Sequence, residues 1–181
     1  MIRNLIRTAV LATAALVAML SGPLVQAQQS DEGKRLHAFF AEEWERSLRE
    51  NPESASFEGD RRYNDRWTDN SPNAIAGREA ADREALARLK GFDRSKLAPA
   101  DQLNYDTFLW LQQKTVQRQT FREYLQPIGH QGGVQNADGL IEGLAFNEAR
   151  DYRDWLARMR ALPDAIDQTI ALMREGVKAG N

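Results

Sequence analysis

The sequence predicts an all-α fold, a layered helical bundle around one long central helix. Three observations lead there. Apolar residues recur at helical spacing in successive stretches, and no run sustains the two-residue alternation of a strand; Val134 lies in too short a run to count. Caps and prolines punctuate those stretches, at Ser30, Asn51-Pro52, Ser71-Pro72 and Pro99. Finally, residues 99–125 carry two apolar faces. Leu103, Trp110, Leu111, Phe121 and Leu125 line one, and Tyr105, Leu109 and Val116 line nearly the opposite one. A surface helix shows a single stripe, so this central helix is expected to be gripped from both sides.

Taken in order, Ser30 is an N-cap candidate with Asp31 and Glu32 in the first turn, where negative charge meets the positive end of the helix dipole. The helix it opens runs to about residue 50, with Leu36, Phe39, Phe40, Trp44 and Leu48 as its apolar stripe. Pro52 pushes Asn51 out of helical geometry, and Asn51 is expected to cap a short helix over 52–57, closed by Gly59. Residues 60–71 are dense in charge and turn formers and are expected to form an ordered loop pinned by Tyr63 and Trp67. A helix over 72–90 stops at Gly91; Ile75, Leu86 and Leu89 share a face that Glu79 and Asp82 interrupt, which places it on the outside.

The central helix follows a connector over 92–98, with Pro99 in its first turn and Pro127 just past its end. After the loop over 126–136, a short helix is expected over 138–144, weakened by Gly139 and Gly143. Asn147 is the cap candidate for a helix with Tyr152, Trp155, Leu156 and Met159 in one stripe. Pro163 breaks the chain near Leu162, and a last helix sets Ile166, Ile170, Met173 and Val177 on one face. The stripes of these last two helices find no obvious partner among so few elements.

Composition narrows the function. The 181 residues carry no cysteine, so disulfides, thiolate metal sites and cysteine nucleophiles are excluded. A formal charge of −2 argues against a nucleic-acid partner, which wants a basic face. Residues 1–27 have the form of a signal peptide: Arg3 and Arg7 ahead of an apolar run over 9–20, then Val25-Gln26-Ala27 as a small-residue cleavage site. The run is shorter than the roughly 20 residues of a membrane span, so no stable anchor is expected after cleavage; an uncleaved anchor is the alternative. Losing both arginines leaves 22 basic against 26 acidic side chains. The mature chain, 28–181, is expected to be exported, to a periplasm.

Candidate chemistry is sparse. His37 and His130 belong to no H-E-x-x-H pattern, which would set two ligands one turn apart with a glutamate to activate water. His37 is expected on a helix surface and His130 in a structural loop. In that loop, Q-P-I-G-H-Q-G-G-V-Q-N, the glycines would let backbone N–H groups approach an anion or a peptide. A tight turn is the plainer account, since no lysine follows at P-loop spacing. His130, Gln131, Gly132 and Gly133 thus form the one candidate cleft-lining loop. Arg61, Arg62 and Arg66 lie among Asp60, Asp65 and Asp69; arginine can fork onto a substrate carboxylate, but an internal ion-pair network is the better account. Glu42 and Glu43 are expected on a solvated face, and no G-x-S-x-G elbow is present. No residue is nominated as catalytic or metal-ligating.

Four segments together resemble a known family. They are N-P-E-S-A-S-F-E-G-D-R-R-Y-N-D-R-W (51–67), L-A-P-A-D-Q-L-N-Y-D (97–106), the P-I-x-x-Q-G-G-V-Q loop, and D-Y-R-D-W-L-A-R-M-R-A-L-P followed by D-Q-T-I-A-L-M-R-E-G-V-K-A-G. In this order they resemble the N-terminal part of bacterial domain of unknown function (DUF) family 885. Ser56 stands where that pattern often has threonine, and Ala98 where it has serine or threonine, so the central helix lacks its usual capping side chain. The resemblance implies a largely helical protein several times longer, similar to zinc metallopeptidases, with an H-E-x-x-P-G-H-H motif far towards its C-terminus. Nothing here matches that motif, so no cofactor is expected in this chain; zinc belongs to the full-length parent.

On this resemblance the chain is expected to be an incomplete piece of a larger helical protein, with the stop at Asn181 reflecting truncation. It would be a non-catalytic N-terminal segment of an exported metallopeptidase-like hydrolase, walling or capping a peptide-binding cleft. Its partners would be the remaining C-terminal part and a peptide substrate. The alternatives are a complete, non-enzymatic periplasmic binding or adaptor protein, and a decayed reading frame.

Overall fold

The computed structural model describes residues 30–130 and 132–180. The leader expected over 1–27 and Gln131 of the candidate loop lie outside them. Six α-helices and several 3₁₀ turns make up the described chain, with no strand among the described residues. None of these helices is long and apolar enough to cross a membrane.

Helix α1 (Asp31–Glu50) starts where Ser30 Oγ accepts from the Gly33 N–H at 3.0 Å. Helix α2 (Pro52–Phe57) follows, but the expected Asn51 cap is not made. The Asn51 amide instead donates to Ser47 O at 2.9 Å, closing α1 rather than opening α2. Helix α3 (Pro72–Lys90) has the expected Ser71 cap and the expected stop at Gly91. It is not peripheral: Ala85 and Leu89 are buried and it packs along the central helix. Alanine on the contact face lets a mostly charged helix approach closely.

The central helix, α4 (Pro99–Arg118), is shorter than the expected 99–125. Two 3₁₀ turns, Gln119–Phe121 and Glu123–Leu125, replace its last part, with Arg122 between them at φ 49°. A left-handed residue cannot continue a right-handed helix, and the ion pair of Arg118 with Glu123 braces the bend. The bend delivers Leu125 into the interior. The two-sided grip also fails among the described residues. Tyr105 is buried, whereas Leu103, Trp110 and Leu111 stay open.

In place of a helix over 138–144, a 3₁₀ stretch (Val134–Gly143) runs with a kink at Asn136. At helix α5 (Ala149–Arg160) the N-cap is Glu148, not Asn147, and the Asp151 carboxylate accepts from the Glu148 N–H at 3.0 Å and the Asn147 N–H at 2.8 Å. Helix α6 (Leu162–Ala179) follows directly, with Pro163 in its first turn.

Three centres hold these elements together. Leu36, Phe39, Ala85, Leu89, Leu97 and Tyr105 form the main core of α1, α3 and α4. Phe39, Phe40, Phe92 and Phe108 meet around it, the closest rings being Phe40 and Phe108 at 5.1 Å. Ile75, Leu125 and Leu172 form a smaller core that ties α6 to α3. There Gly176 is pressed against the turn: a Cβ on it would stand 2.5 Å from Leu125 O.

The third centre is polar. Arg158, with no exposed surface, donates to Arg66 O (2.8 Å), Ser56 Oγ (3.0 Å), Tyr63 O (2.7 Å) and Pro52 O (3.3 Å). It ties α5 to α2 and to the loop over 60–71. That loop is ordered, as its composition predicts, and Trp67 pins it by donating to Arg158 O at 2.7 Å. Helix α5 is therefore inverted: Asp151 and Arg158 face inward, while Tyr152, Leu156 and Met159 face solvent. On α6, Thr169, Leu172 and Gly176 are buried and the expected stripe of Ile166, Ile170, Met173 and Val177 is exposed.

Candidate functional site

A groove of about 990 Å3 opens between α1, α3 and α4. Its apolar wall comes from Phe40 and Trp44 of α1 and from Leu103, Phe108 and Leu111 of α4. Trp44, Leu103 and Leu111 are 52%, 67% and 47% exposed, although each lies on a stripe that helical spacing would bury. The spacing of Leu103, Thr107 and Leu111, one turn apart each time, lays them along one face of α4.

The lining is also charged. Arg46 of α1 donates to Glu43 (2.8 Å), Glu50 (2.9 Å) and, across to α3, Asp82 (2.9 Å). The i−3 and i+4 spacings place Glu43 and Glu50 on the face of Arg46. Glu43 is thus turned into the groove and not, as expected, onto a solvated face. Burial opposes the charge on Arg46, but its hydrogen bonds to the Glu43 and Asp82 carboxylates outweigh it and hold the guanidinium above its ordinary value. Gln119, just past α4, adds bonds to Glu79 O (3.1 Å) and Asp82 (3.5 Å). The cluster carries three carboxylates on one guanidinium.

Gln112 of α4 also lines the groove. It is 7% exposed, and among the described residues its side-chain amide makes no hydrogen bond. Every fully shielded side-chain polar atom among the described residues has a partner, so the unpaired amide atoms of Gln112 retain some accessible surface, and Gln112 lines the groove. Neither histidine and no lysine lines it. The lining thus combines apolar surface, carboxylates and the Gln112 amide, which has no hydrogen-bond partner among the described residues.

The candidate loop lies elsewhere. His130 is exposed, and Gly132 and Gly133 line a separate hollow of about 620 Å3 with Phe57, Trp67 and Leu140. Gly133 has φ 137°, and a Cβ there would collide with the Gln135 side chain, so the turn needs glycine. His37 is half exposed, and its Nε2 lies 2.7 Å from Asp101 at the start of α4; it ties two helices as well as facing solvent. The arginine-rich loop pairs internally, Arg62 with Asp60 and Arg66 with Asp65, while Arg61 reaches Glu148 and Asp151. Among the described residues no group of three or more His, Asp or Glu side chains is placed to hold a metal ion. These residues do not fit a zinc site.

Sequence reasoning missed Arg46, Gln112 and Arg158. Gln112 had a signal: it sits seven residues after Tyr105, on the face the helix buries. Arg158 had none, since its partners, three backbone carbonyls and the Ser56 hydroxyl, lie about a hundred residues away in sequence.

The model of the family described as "Bacterial protein of unknown function (DUF885)" matches residues 52–181. No curated protein and no solved structure gives a match.

Proposed function

The chain belongs to the DUF885 family of bacterial proteins, and on that premise we propose that it is the N-terminal, non-catalytic helical segment of an exported metallopeptidase-like hydrolase. In this reading residues 1–27 direct export to the periplasm. The segment then docks on the remaining part of the parent and walls a peptide-binding cleft. Zinc and its water-activating glutamate belong, in this reading, to that remaining part.

The observation that carries the reading is the outward apolar face of α5 and α6. Seven large apolar side chains on these two adjoining helices are between 37% (Met159, Ile166, Ile170) and 75% (Val177) exposed. Exposed apolar patches of this kind mark interaction surfaces. The same helices turn Asp151, Arg158 and Thr169 inward, so the apolar face is built outward by the fold and not left over from poor packing.

A second reading, a self-sufficient periplasmic adaptor, is favoured by one feature. Among the described residues every fully shielded side-chain polar atom has a partner, as in a fold that stands alone.

Two measurements on the full chain separate them. The docking reading expects binding of a hydrophobic dye that falls sharply in an Ile170→Glu, Met173→Glu double variant, and no stoichiometric zinc after incubation and dialysis. Retained equimolar zinc, or peptide hydrolysis by this chain alone, would sink it. Absence of dye binding, with one cooperative unfolding transition, would favour the adaptor.

A further inference from the structure

We propose that the groove between α1, α3 and α4 binds a short peptide carrying apolar side chains and at least one lysine or arginine. Three independent features of the groove point to that chemistry. The wall of Trp44, Leu103 and Leu111 offers exposed apolar surface inside a concavity. At about 990 Å3 the space is at the upper end of ligand sites, which span about 300–1,000 Å3, and holds several residues of extended chain.

The second feature is charge. Glu43, Glu50 and Asp82 share the single guanidinium of Arg46, with all four side chains less than a quarter exposed. Glu79 adds another carboxylate to the lining, while Arg78 is occupied by Asp69 O and Asn70. Partly buried charges are weakly screened, so the cleft attracts a cation and repels fatty acids, nucleotides and acidic peptides.

The third feature names the polymer. Gln112 presents both an N–H donor and a C=O acceptor with no partner among the described residues, and it is more than nine-tenths buried. Its complement is a group with the same pair in reverse, which is a peptide bond. A free amide beside an apolar wall and an anionic wall matches a cationic, apolar peptide rather than an aliphatic amine.

The inference rests on the peptide-cleft half of the proposed function and not on docking through α5 and α6. Its lining lies on α1, α3, α4 and two adjoining residues, Asn51 and Tyr124, so each half can fail separately.

The test uses the full chain and a fluorescein-labelled, end-capped pentapeptide of leucine, phenylalanine and lysine, followed by fluorescence polarisation. Saturable binding is expected, at least tenfold weaker when glutamate replaces lysine and weakened by salt. Leu103→Glu, at an exposed position that leaves folding intact, is expected to abolish binding. Gln112→Leu, close in shape, is expected to weaken binding at least fivefold while the chain still unfolds in one transition. Absence of binding overturns the proposal. So does equal affinity for the glutamate peptide, or unchanged affinity in Leu103→Glu and Gln112→Leu.

Discussion

Trp67 and Arg158 hold each other twice. The indole N–H donates to the Arg158 carbonyl at 2.7 Å, and the Arg158 guanidinium carbon stands 5.5 Å from the indole centroid. A main-chain bond and a cation–π contact thus join the loop over 60–71 to α5 through one residue pair. Burial pushes the guanidinium down from its ordinary value, since no carboxylate pairs with it directly. Carbonyls of Pro52, Tyr63 and Arg66 solvate it instead.

Arg158→Met should therefore destabilise the chain by about 3 kcal/mol or more, because it strands buried carbonyls that lose a charged donor. Arg158→Lys should not rescue it, since an ammonium cannot reach the same fork of acceptors. Urea unfolding followed by circular dichroism measures both.

Replacing Gly176 with alanine should destabilise by about 1–3 kcal/mol. The added Cβ meets a backbone carbonyl, Leu125 O, which no rotamer change can clear. The gain in helix propensity, about 1 kcal/mol, offsets only part of this. A lowered thermal midpoint checks it; a raised one would show that the turn over 123–125 yields easily.

Ala98→Ser should stabilise by about 1 kcal/mol. Ala98 already has N-cap geometry, φ −64° and ψ 154°, but no side chain to accept from the first turn of α4. The same denaturant measurement applies, with an unchanged m-value expected.

Stability should fall in acid. Burial works to raise the Asp151 carboxyl, but N–H groups of Glu148 and Asn147 and the Arg61 guanidinium outweigh it and hold it below its ordinary value. Arg62 and Arg66 hold Asp60 and Asp65 down, and the Ser71 N–H does so for Asp69. A depressed native value means that the unfolded chain binds more protons as pH falls. The stabilisation is complete well above the unfolded value of about 3.9 and is lost as pH drops towards the native values. Urea midpoints should be level from about pH 7 to 5 and fall below that, less steeply in Asp151→Asn.

The sequence by itself determined the helical class and most helix boundaries. Ser30, Ser71, Pro72 and Gly91 act within a few residues of chain, through caps and fixed backbone angles, and such signals need no tertiary context. Where a boundary depended on distant partners, the sequence was silent. The central helix stops at Arg118, and the bend at Arg122 that follows seats Leu125 against Ile75 and Leu172. Tertiary structure alone decided which way each amphipathic helix faces. Periodicity marks an apolar stripe but not its cover, and α5 and α6 turn outward the stripes for which the sequence offered no partner. Their inner faces are claimed by Arg158 and by the close approach of Gly176. The groove of Gln112 and Arg46 is likewise a product of three helices meeting, and no one of them encodes it.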